Sequence, residues 1–422
     1  MSWKRRNSIY KYLNSTLWIV PIAAVILEEI ITPLLRALDS RLGWSGAGLG
    51  VDGARALCNA VVTLTLSFTV FTFGSLLIAI QVASGQYTPR IIATTLLRNN
   101  VIRYTVALFV FSFIFSIRAL NRIETSVPQL IVFLTGLLGL FCITAFLFLI
   151  DYAARLLRPV SLVRSIGEAG LKVIEHVYAE DLVPGQNNNF SDSNLSSGPR
   201  TVLNHGSSAI VVAVDVAQLL LAADKTNGVI ELVPQVGDFV GRNEPLFRLH
   251  NGAAAISDPL LEGCVLFGSE RTVDQDPLFA FRILVDIAIK GLSPAINDPT
   301  TAVLAIDQLH RLLGRTGRRN LRTDNIVNRA GDIRVVLRTP DWEDFVHLAL
   351  TEVRFYGAAN IQIARRIRAM IVNLTSTLPS ERHEALQSEL DLLDRTLERL
   401  SLFPEDLSLA RIPDTQGLGA SH

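Results

Sequence analysis

The sequence predicts a multi-domain protein, in which an all-α transmembrane domain of four helices is followed by an α/β (α+β) domain. Hydrophobic residues make up 49% of the chain, which is high for a soluble protein, and they are concentrated in its first third. A helix needs about 20 mostly apolar residues to cross the hydrocarbon core of a bilayer. Four stretches reach that length: residues 13–35, 54–82, 101–120 and 127–150.

The domain boundaries follow from changes in composition. Beyond the apolar stretches the charge density becomes that of an ordinary soluble protein, and residues 184–199 are rich in glycine, asparagine and serine. Such a segment is typical of a flexible linker. We predict a transmembrane domain over 1–160, a connecting helix over 161–183, a linker over 184–200 and an α/β domain with a helical C-terminal part over 201–422.

The lysines and arginines near the spans predict the orientation, because cytoplasmic loops carry an excess of these residues. The first apolar run is too long for a signal peptide and has no small-residue cleavage site, so we expect an uncleaved helix. Placing both termini in the cytoplasm puts ten cations inside and five outside. The inner set is Lys4, Arg5, Arg6, Lys11, Arg90, Arg98, Arg155, Arg158, Arg164 and Lys172, and the outer set is Arg36, Arg41, Arg55, Arg118 and Arg122.

The first span contains two adjacent carboxylates, Glu28 and Glu29. A carboxylate at bilayer depth is costly unless it is paired or hydrated, so it marks a candidate functional site. Two interpretations stay open: the pair lines a pore or binds an ion, or the span ends near Leu27 and the pair lies at the outer interface. Adjacent residues point about 100° apart on a helix, so both cannot face one pore equally.

The second span carries a polar stripe of Thr65, Thr69 and Thr72 at helical spacing. These hydroxyls are candidates to line a hydrated path through the membrane. Small and hydroxylated residues also let membrane helices pack closely and form hydrogen bonds, and we favour that interpretation. The pore interpretation requires the glutamates to face the stripe.

The C-terminal region predicts a mixture of strands and helices. Asp215 follows a buried-type strand at 210–214 and, with Gln218, is expected to cap a helix. The Gly237-Asp238 pair supplies a turn between two strands. The other expected elements are strands at 229–234, 239–249 and 333–337 and helices at 278–290, 299–313, 342–374 and 381–402, before a disordered tail.

Seven polar residues form a candidate cluster in this region: Arg271, Asp274, Asp276, Arg282, Asp286, Asn297 and Asp298. Carboxylates near a helix start can bind a divalent cation through oxygen ligands. Structural roles explain the pattern more simply, because Asp298 precedes a proline as a helix N-cap and Arg282 with Asp286 forms a pair one turn apart. We predict no metal, no cofactor and no catalytic residues from the spacing.

Two arginine groups, residues 311–322 and the set Arg365, Arg366 and Arg368, allow several interpretations. They could meet anionic lipid headgroups if they lie near the membrane. A solvated face or a contact between subunits explains them equally well.

Several motifs resemble one bacterial family. They are QYTPR at 86–90, GDFV at 237–240, RTVDQD at 271–276 and, above all, DIAIKGLSPAINDPTTA at 286–302. In order and over nearly the whole chain, they resemble the predicted membrane proteins catalogued as domain of unknown function 2254. The resemblance implies an inner-membrane protein with four spans and a cytoplasmic domain, and it supplies no activity. The chain departs from the family pattern conservatively at Tyr87-Thr88 and Lys290-Gly291.

Residues 229–249 are also similar to the glycine-turn hairpin of biotinyl and lipoyl-type sandwich domains. The turn has no lysine that could carry a cofactor, so the likeness concerns the fold only. An ordinary hairpin with a Gly-Asp turn explains the segment at least as well.

These observations support two functional hypotheses of different classes. The first is a homo-oligomeric, channel-like or transport-related protein that its cytoplasmic domain gates, because symmetric copies can enclose a pore that four helices cannot. The alternative is a membrane-anchored ligand sensor or scaffold without transport activity. An enzyme is the least supported class. Expected partners are the lipid bilayer, further copies of the chain and an unidentified ion or small ligand; zero net charge argues against nucleic acid.

Overall fold

The computed structural model describes residues 18–42, 48–86, 100–123, 127–156, 158–182, 198–321, 324–401 and 403–419. These residues form two compact units. The helical unit is the described part of Tyr10–Gly85 and Pro89–Leu162, and the C-terminal unit is the described part of Val163–His422. Residues 184–197 of the predicted linker lie outside the described chain.

Long helices build the helical unit. Three segments are long and apolar enough to cross a membrane, namely Val51–Val82, Asn100–Leu120 and Gln129–Arg155. Three of the four predicted spans are therefore confirmed in length and composition. The helices are α1 Ile19–Leu42, α2 Val51–Gln86, α3 Asn100–Leu120 and α4 Gln129–Leu156, and α5 Pro159–Val177 follows directly.

The helix α1, which covers most of the first predicted span, is not among these segments. It continues past Leu35 to Leu42, and any 18 consecutive residues of it contain Glu28, Glu29 and Arg36. Three ionisable side chains make such a segment expensive to bury in hydrocarbon unless they are paired. A total of four spans therefore stays a prediction.

The helical unit has an apolar outer surface and an aromatic interior. Phe68 and Phe146 stack with their ring centroids 3.9 Å apart, and Phe109 packs against Phe68 at 5.6 Å. An apolar outer surface of this extent is unusual for a soluble protein and suits contact with lipid. The exposed side chains include Leu66, Val70, Leu77, Ile78, Leu140, Phe141, Leu147 and Phe148.

The described part of the C-terminal unit contains a five-stranded and a three-stranded sheet. The strands are β1 Arg200–Leu203, β2 Ala209–Val214, β3 Gly228–Leu232, β4 Phe239–Val240, β5 Pro245–Asn251, β6 Val265–Gly268, β7 Asn325–Val327 and β8 Ile333–Val336. The larger sheet has the order β1-β5-β3-β8-β7, in which β3 and β8 are parallel and the other pairs are antiparallel. The smaller sheet is antiparallel, with the order β4-β2-β6.

The strands predicted at 210–214, 229–234 and 333–337 are confirmed as β2, β3 and β8. The single strand predicted at 239–249 is wrong, because β4 pairs with β2 in one sheet while β5 pairs with β3 in the other. A turn separates the two strands, in which the N–H of Gly241 donates to Glu244 Oε2 at 2.7 Å and Asn243 has a φ of 63°. Residues 229–249 therefore contribute to both sheets. β3 and β5 pair antiparallel in one sheet, while β4, between them, pairs with β2 in the other.

The helices of the C-terminal unit begin mostly where capping residues were expected. Asp215 Oδ1 accepts the N–H of Gln218 and Asp298 Oδ1 that of Thr301, each at 3.1 Å. The single helix predicted at 342–374 is wrong, because Asn360 caps a second helix within it. The helices are α6 Val216–Lys225, α7 Asp258–Gly263, α8 Pro277–Gly291, α9 Pro299–Thr316, α10 Trp342–Gly357, α11 Ile361–Thr377, α12 His383–Leu400 and α13 Pro404–Ala410.

Three arginines of α11, Arg365, Arg366 and Arg368, lie in the core and not on a solvated face, and all are less than a tenth exposed. Arg366 Nε donates to Asp307 Oδ1 at 2.7 Å, and Arg368 forms an ion pair with Asp394. A buried charge is tolerated when it is paired, so these contacts explain how α11 is buried despite its charges.

The C-terminal segment is folded back over residues 411–419, so the predicted disorder is wrong for this part. The carboxylate of Asp414 accepts three backbone N–H groups, those of Gln416 at 3.0 Å, Gly417 at 2.8 Å and Gly419 at 2.6 Å. Arg365 Nη1 in turn donates to the carbonyl of Gly419 at 3.0 Å. The segment therefore supplies acceptors to a buried arginine.

We predict that Asp414→Ala releases this segment from the helical core. The variant leaves three N–H groups without their acceptor, which corresponds to a loss of about 1–3 kcal/mol in the free energy of unfolding. Limited proteolysis followed by mass spectrometry should show earlier cleavage after Ala410. Asp391→Ala, at an exposed carboxylate of α12, is the control and should cleave as the native protein does. Equal cleavage rates in all three proteins would contradict this role of Asp414.

Candidate functional site

A cavity of about 370 Å³ lies within the C-terminal unit, next to the end of α5, the ends of β2 and β3 and the start of α8. Its volume is in the range of about 300–1,000 Å³ that small-molecule sites occupy. The apolar lining consists of Val177, Val214, Val216, Leu232, Val236, Pro277, Ile326, Leu337 and Pro340. The polar lining consists of His176, Tyr178, Gln235, Gln275, Asp276, Arg338 and Thr339.

Asp276 is the member of the predicted cluster that lines this cavity, and it is only 4% exposed. Its Oδ1 accepts the N–H of Phe279 at 3.1 Å and caps α8. Its Oδ2 is buried and has no hydrogen bond among the described residues, with Arg271 Nη1 at 4.0 Å. One carboxylate oxygen therefore has a structural role, while the other is left without a hydrogen bond.

The approach of Gly237 to Asp276 requires a glycine. Gly237 has a φ of 98°, and a Cβ at this position would lie 2.5 Å from Asp276 Oδ2. A side chain would be strained by the backbone angle and would also push the carboxylate away. The Gly-Asp turn predicted from the sequence therefore packs directly against the buried carboxylate.

Burial raises the pKa of the Asp276 carboxyl to about 6, because the charged form loses its hydration. The positive charge of Arg271 and the N–H of Phe279 act in the opposite direction, and the charge of Asp238 raises the pKa further. The carboxylate is thus ionised at neutral pH at an energetic cost to the folded protein.

Tyr178, just beyond the C-terminal end of α5, is the second buried polar residue of the lining. It is fully buried, its ring packs edge-on against Phe345 at a centroid distance of 6.1 Å, and its hydroxyl has no hydrogen bond among the described residues. Burial raises the pKa of this phenol, and the charges of Asp276, Asp324 and Asp344 raise it further. Two residues of the lining therefore each have a buried polar atom without a hydrogen bond among the described residues.

The remaining residues of the predicted cluster do not line the cavity. Asp274 is exposed. The predicted pair of Arg282 and Asp286 is present, with Nε donating to Oδ1 at 2.6 Å, and the same guanidinium donates to both oxygens of Glu352 at 2.6 and 2.9 Å. These residues join α8 to α10.

Asn297 and Asp298 have local roles at the start of α9. Asn297 has a φ of 47°, and Asp298 is the N-cap. The seven residues therefore do not converge on one site. Within the described chain, no group of three or more His, Cys, Asp or Glu side chains is placed to hold a metal ion.

In the helical unit, Glu28 is fully buried. Its Oε1 accepts a hydrogen bond from Thr32 Oγ1 at 2.5 Å, and its Oε2 lies 3.2 Å from Arg118 Nη1. Glu29 is more than half exposed and forms an ion pair with the same arginine. Because Arg118 is two residues from the end of α3 at Leu120, the carboxylates are paired near a helix end.

The threonine stripe of α2 uses its hydroxyl protons within the helix. Each Oγ1 donates to the carbonyl oxygen four residues earlier, at 2.8 Å for Thr65 and Thr69 and at 2.7 Å for Thr72. Thr65 and Thr72 are also buried. Internal bonding of this kind suits helix packing, which was the favoured interpretation.

Tyr178, Gln235 and Thr339 line the cavity but were not predicted as site residues from the sequence. The available signal was the acidic RTVDQD motif ending before a proline, which indicated a helix start at Asp276. Tyr178, Gln235 and Thr339 come from three separate segments, and none of these segments has a recognisable motif. Only the tertiary structure brings them to one cavity.

Comparisons with known proteins identify relatives but no activity. A family model described as "Predicted membrane protein (DUF2254)" matches residues 14–373. The uncharacterized proteins Mb1321c of Mycobacterium bovis and Rv1290c of Mycobacterium tuberculosis are each 23% identical over 415 residues, which cover 94% of this chain and 78% of theirs. No solved structure matches the chain.

We predict that Asp276→Asn stabilises the protein at neutral pH. An aspartate has a pKa near 3.9 in an unfolded chain and Asp276 one of about 6 in the fold, so the folded state holds its proton more tightly. The free energy of unfolding of the native protein should therefore fall, by about 3 kcal/mol at most, as the pH rises from about 4 to about 6. Asparagine also caps helices well, so the variant loses this slope without losing the cap.

The measurement is the melting temperature of the full-length protein in nanodiscs between pH 4 and pH 8. The melting temperature of the native protein minus that of Asp276→Asn, plotted against pH, gives the pH dependence that Asp276 contributes. Asp274→Asn, at an exposed site two residues away, should retain the native slope. A variant that melts below the native protein at pH 7.5 would contradict the assignment.

Proposed function

The chain belongs to the family of predicted membrane proteins DUF2254, and on that premise we propose that it is a membrane-anchored, ligand-sensing protein. The C-terminal unit binds a small molecule in its cavity. The helical unit holds it at the bacterial inner membrane, with α1 as a fourth span and both termini in the cytoplasm. The assembly in this proposal is a homo-oligomer, because symmetric copies of one chain are the commonest form of oligomer.

One observation carries this proposal. Asp276 and Tyr178 line one cavity, and the buried Oδ2 and hydroxyl of these two residues have no hydrogen bond among the described residues. An unsatisfied buried polar group costs about 1–3 kcal/mol, and native proteins keep few of them. A ligand that forms hydrogen bonds with both atoms would offset this free-energy cost. Ligand binding therefore explains why two residues of one lining each have such an atom.

The ion pair of the helical unit supports α1 as the fourth span. Arg118 forms ion pairs with both Glu28 and Glu29, and Thr32 donates to Glu28, so part of the charge that raises the cost of inserting α1 is compensated within the unit. Pairing of this kind is the usual way in which ionisable groups are accommodated in membrane helices.

The ligand-binding proposal is tested by the melting temperature of the full-length protein in nanodiscs with fractionated small-molecule extract of a bacterial host. A ligand at about 100 times its Kd adds about 2.7 kcal/mol, so the melting temperature should rise by about 5 °C or more. Val236→Trp fills the cavity and should remove the rise. The same change at Val327, an exposed valine outside the cavity, should leave it.

Two results would count against ligand binding. The first is that no fraction stabilises the native protein. The second is a rise that persists in both Val236→Trp and Asp276→Asn, because the stabilising molecule would then bind elsewhere.

Transport by a homo-oligomer is the second candidate function, and the burial of Glu28 in an apolar helix favours it. A buried carboxylate among membrane helices is a typical component of an ion path. Its pairing with Arg118 makes a fixed structural role equally consistent. The two adjacent glutamates provide a matched comparison, because Glu28 is buried and Glu29 exposed.

We predict for this candidate that Glu28→Gln changes ion flux into proteoliposomes under an imposed potential, whereas Glu29→Gln does not. The reason is that only the buried carboxylate contributes its charge to a path between helices. Ion-selective fluorescent dyes report flux for a panel of monovalent and divalent ions. Absence of flux across the panel, from protein shown to be folded and inserted, would exclude a simple channel.

A further inference from the structure

The charges around the cavity are mainly negative. Asp276 is on the lining itself, and two further carboxylates are bonded to lining residues. Thr339 Oγ1 donates to Asp324 Oδ1 at 2.5 Å, and the backbone N–H of Gln235 donates to Asp238 Oδ2 at 2.9 Å. One carboxylate is therefore on the lining, and two more are hydrogen-bonded to lining residues.

The positive groups near the cavity are two arginines. Arg271 is 39% exposed and Arg338 on the lining is exposed, as is Asp324 among the three carboxylates. Solvent and salt screen exposed charges far more than buried ones, so the buried Asp276 is the least screened of these charges. Arg271 offsets the raised pKa of Asp276 only in part. Burial is the main cause of the raised pKa of Tyr178, and the charges of Asp276 and two other carboxylates raise it further.

The apolar residues of the lining place a second requirement on the ligand. Nine of the sixteen lining residues are apolar, so a ligand gains most by burying an apolar body beside its charged group. An inorganic metal ion does not meet this requirement. It would also need several oxygen ligands, and the lining provides a single carboxylate.

We infer that the cavity binds an organic cation, a protonated amine carried on an apolar body; this rests on the proposed ligand-binding function. The ammonium donates to Asp276 Oδ2, which is the oxygen that lacks a hydrogen bond. Tyr178 contributes its hydroxyl as an acceptor beside it. The apolar body packs on the valines and prolines of the lining.

The test compares three probes of one shape: phenethylamine, 2-phenylethanol and phenylacetate. Isothermal titration with the full-length protein in nanodiscs at pH 7.5 should give the tightest binding for the amine. A hydrogen bond to a charged group is worth about 1.5–3 kcal/mol, so the amine should bind at least about tenfold more tightly than the alcohol. At pH 5 the advantage should shrink, because Asp276 becomes protonated.

Two aspartate variants distinguish binding of the amine at Asp276 from a general attraction of the amine to negative charge. Asp276→Asn should lower the affinity for phenethylamine by about tenfold or more and leave that for 2-phenylethanol unchanged. Asp274→Asn removes an equal charge from an exposed position outside the cavity and should change neither affinity.

The outcomes distinguish this inference from the proposal on which it rests. Equal affinity for amine and alcohol, or tighter binding of phenylacetate, overturns the organic cation but leaves a ligand-binding cavity. An amine preference that survives Asp276→Asn also overturns the inference. Failure of all three probes together with the host extract overturns both.

Discussion

A carboxylate with two different oxygens is the constraint on which the C-terminal unit depends. Oδ1 of Asp276 caps α8 and so fixes where that helix begins, while Oδ2 is buried beside a cavity without a hydrogen bond. Helix capping explains why an acidic residue stands at this position, but not why it is buried. Asparagine or serine would cap α8 without the cost of a buried charge. The retained charge is therefore the feature that most strongly indicates binding.

The two units accommodate buried charge in contrasting ways. In the helical unit, Glu28 accepts a hydrogen bond from Thr32 and lies 3.2 Å from Arg118, which it shares with Glu29. In the C-terminal unit, Arg366 is paired with Asp307, whereas Asp276 has only a partly exposed arginine at 4.0 Å. Paired charges hold helices in register and specify the fold. An incompletely paired charge leaves an interaction open to another molecule.

Local patterns in the sequence predicted a large part of the secondary structure, because helix periodicity and capping act over a few residues. The caps at Asp215 and Asp298 and the pair Arg282–Asp286 are of this kind. The split of 239–249 between two sheets depends on long-range pairing, which alternation along one strand does not encode. The burial of Arg365 likewise depends on acceptors from the distant C-terminal segment. The cavity was unpredictable for the same reason, since its lining comes from segments far apart in the chain.

The contact between Gly237 and Asp276 has an evolutionary consequence. A Cβ at position 237 would lie within 2.5 Å of the carboxylate oxygen, so a larger residue there is compatible only with a smaller or displaced side chain at 276. Substitutions at these two positions are therefore expected to occur together in divergent members of the family. A lineage that has lost the glycine is therefore expected to hold a smaller or displaced side chain at 276, and with it a differently shaped wall at this part of the cavity.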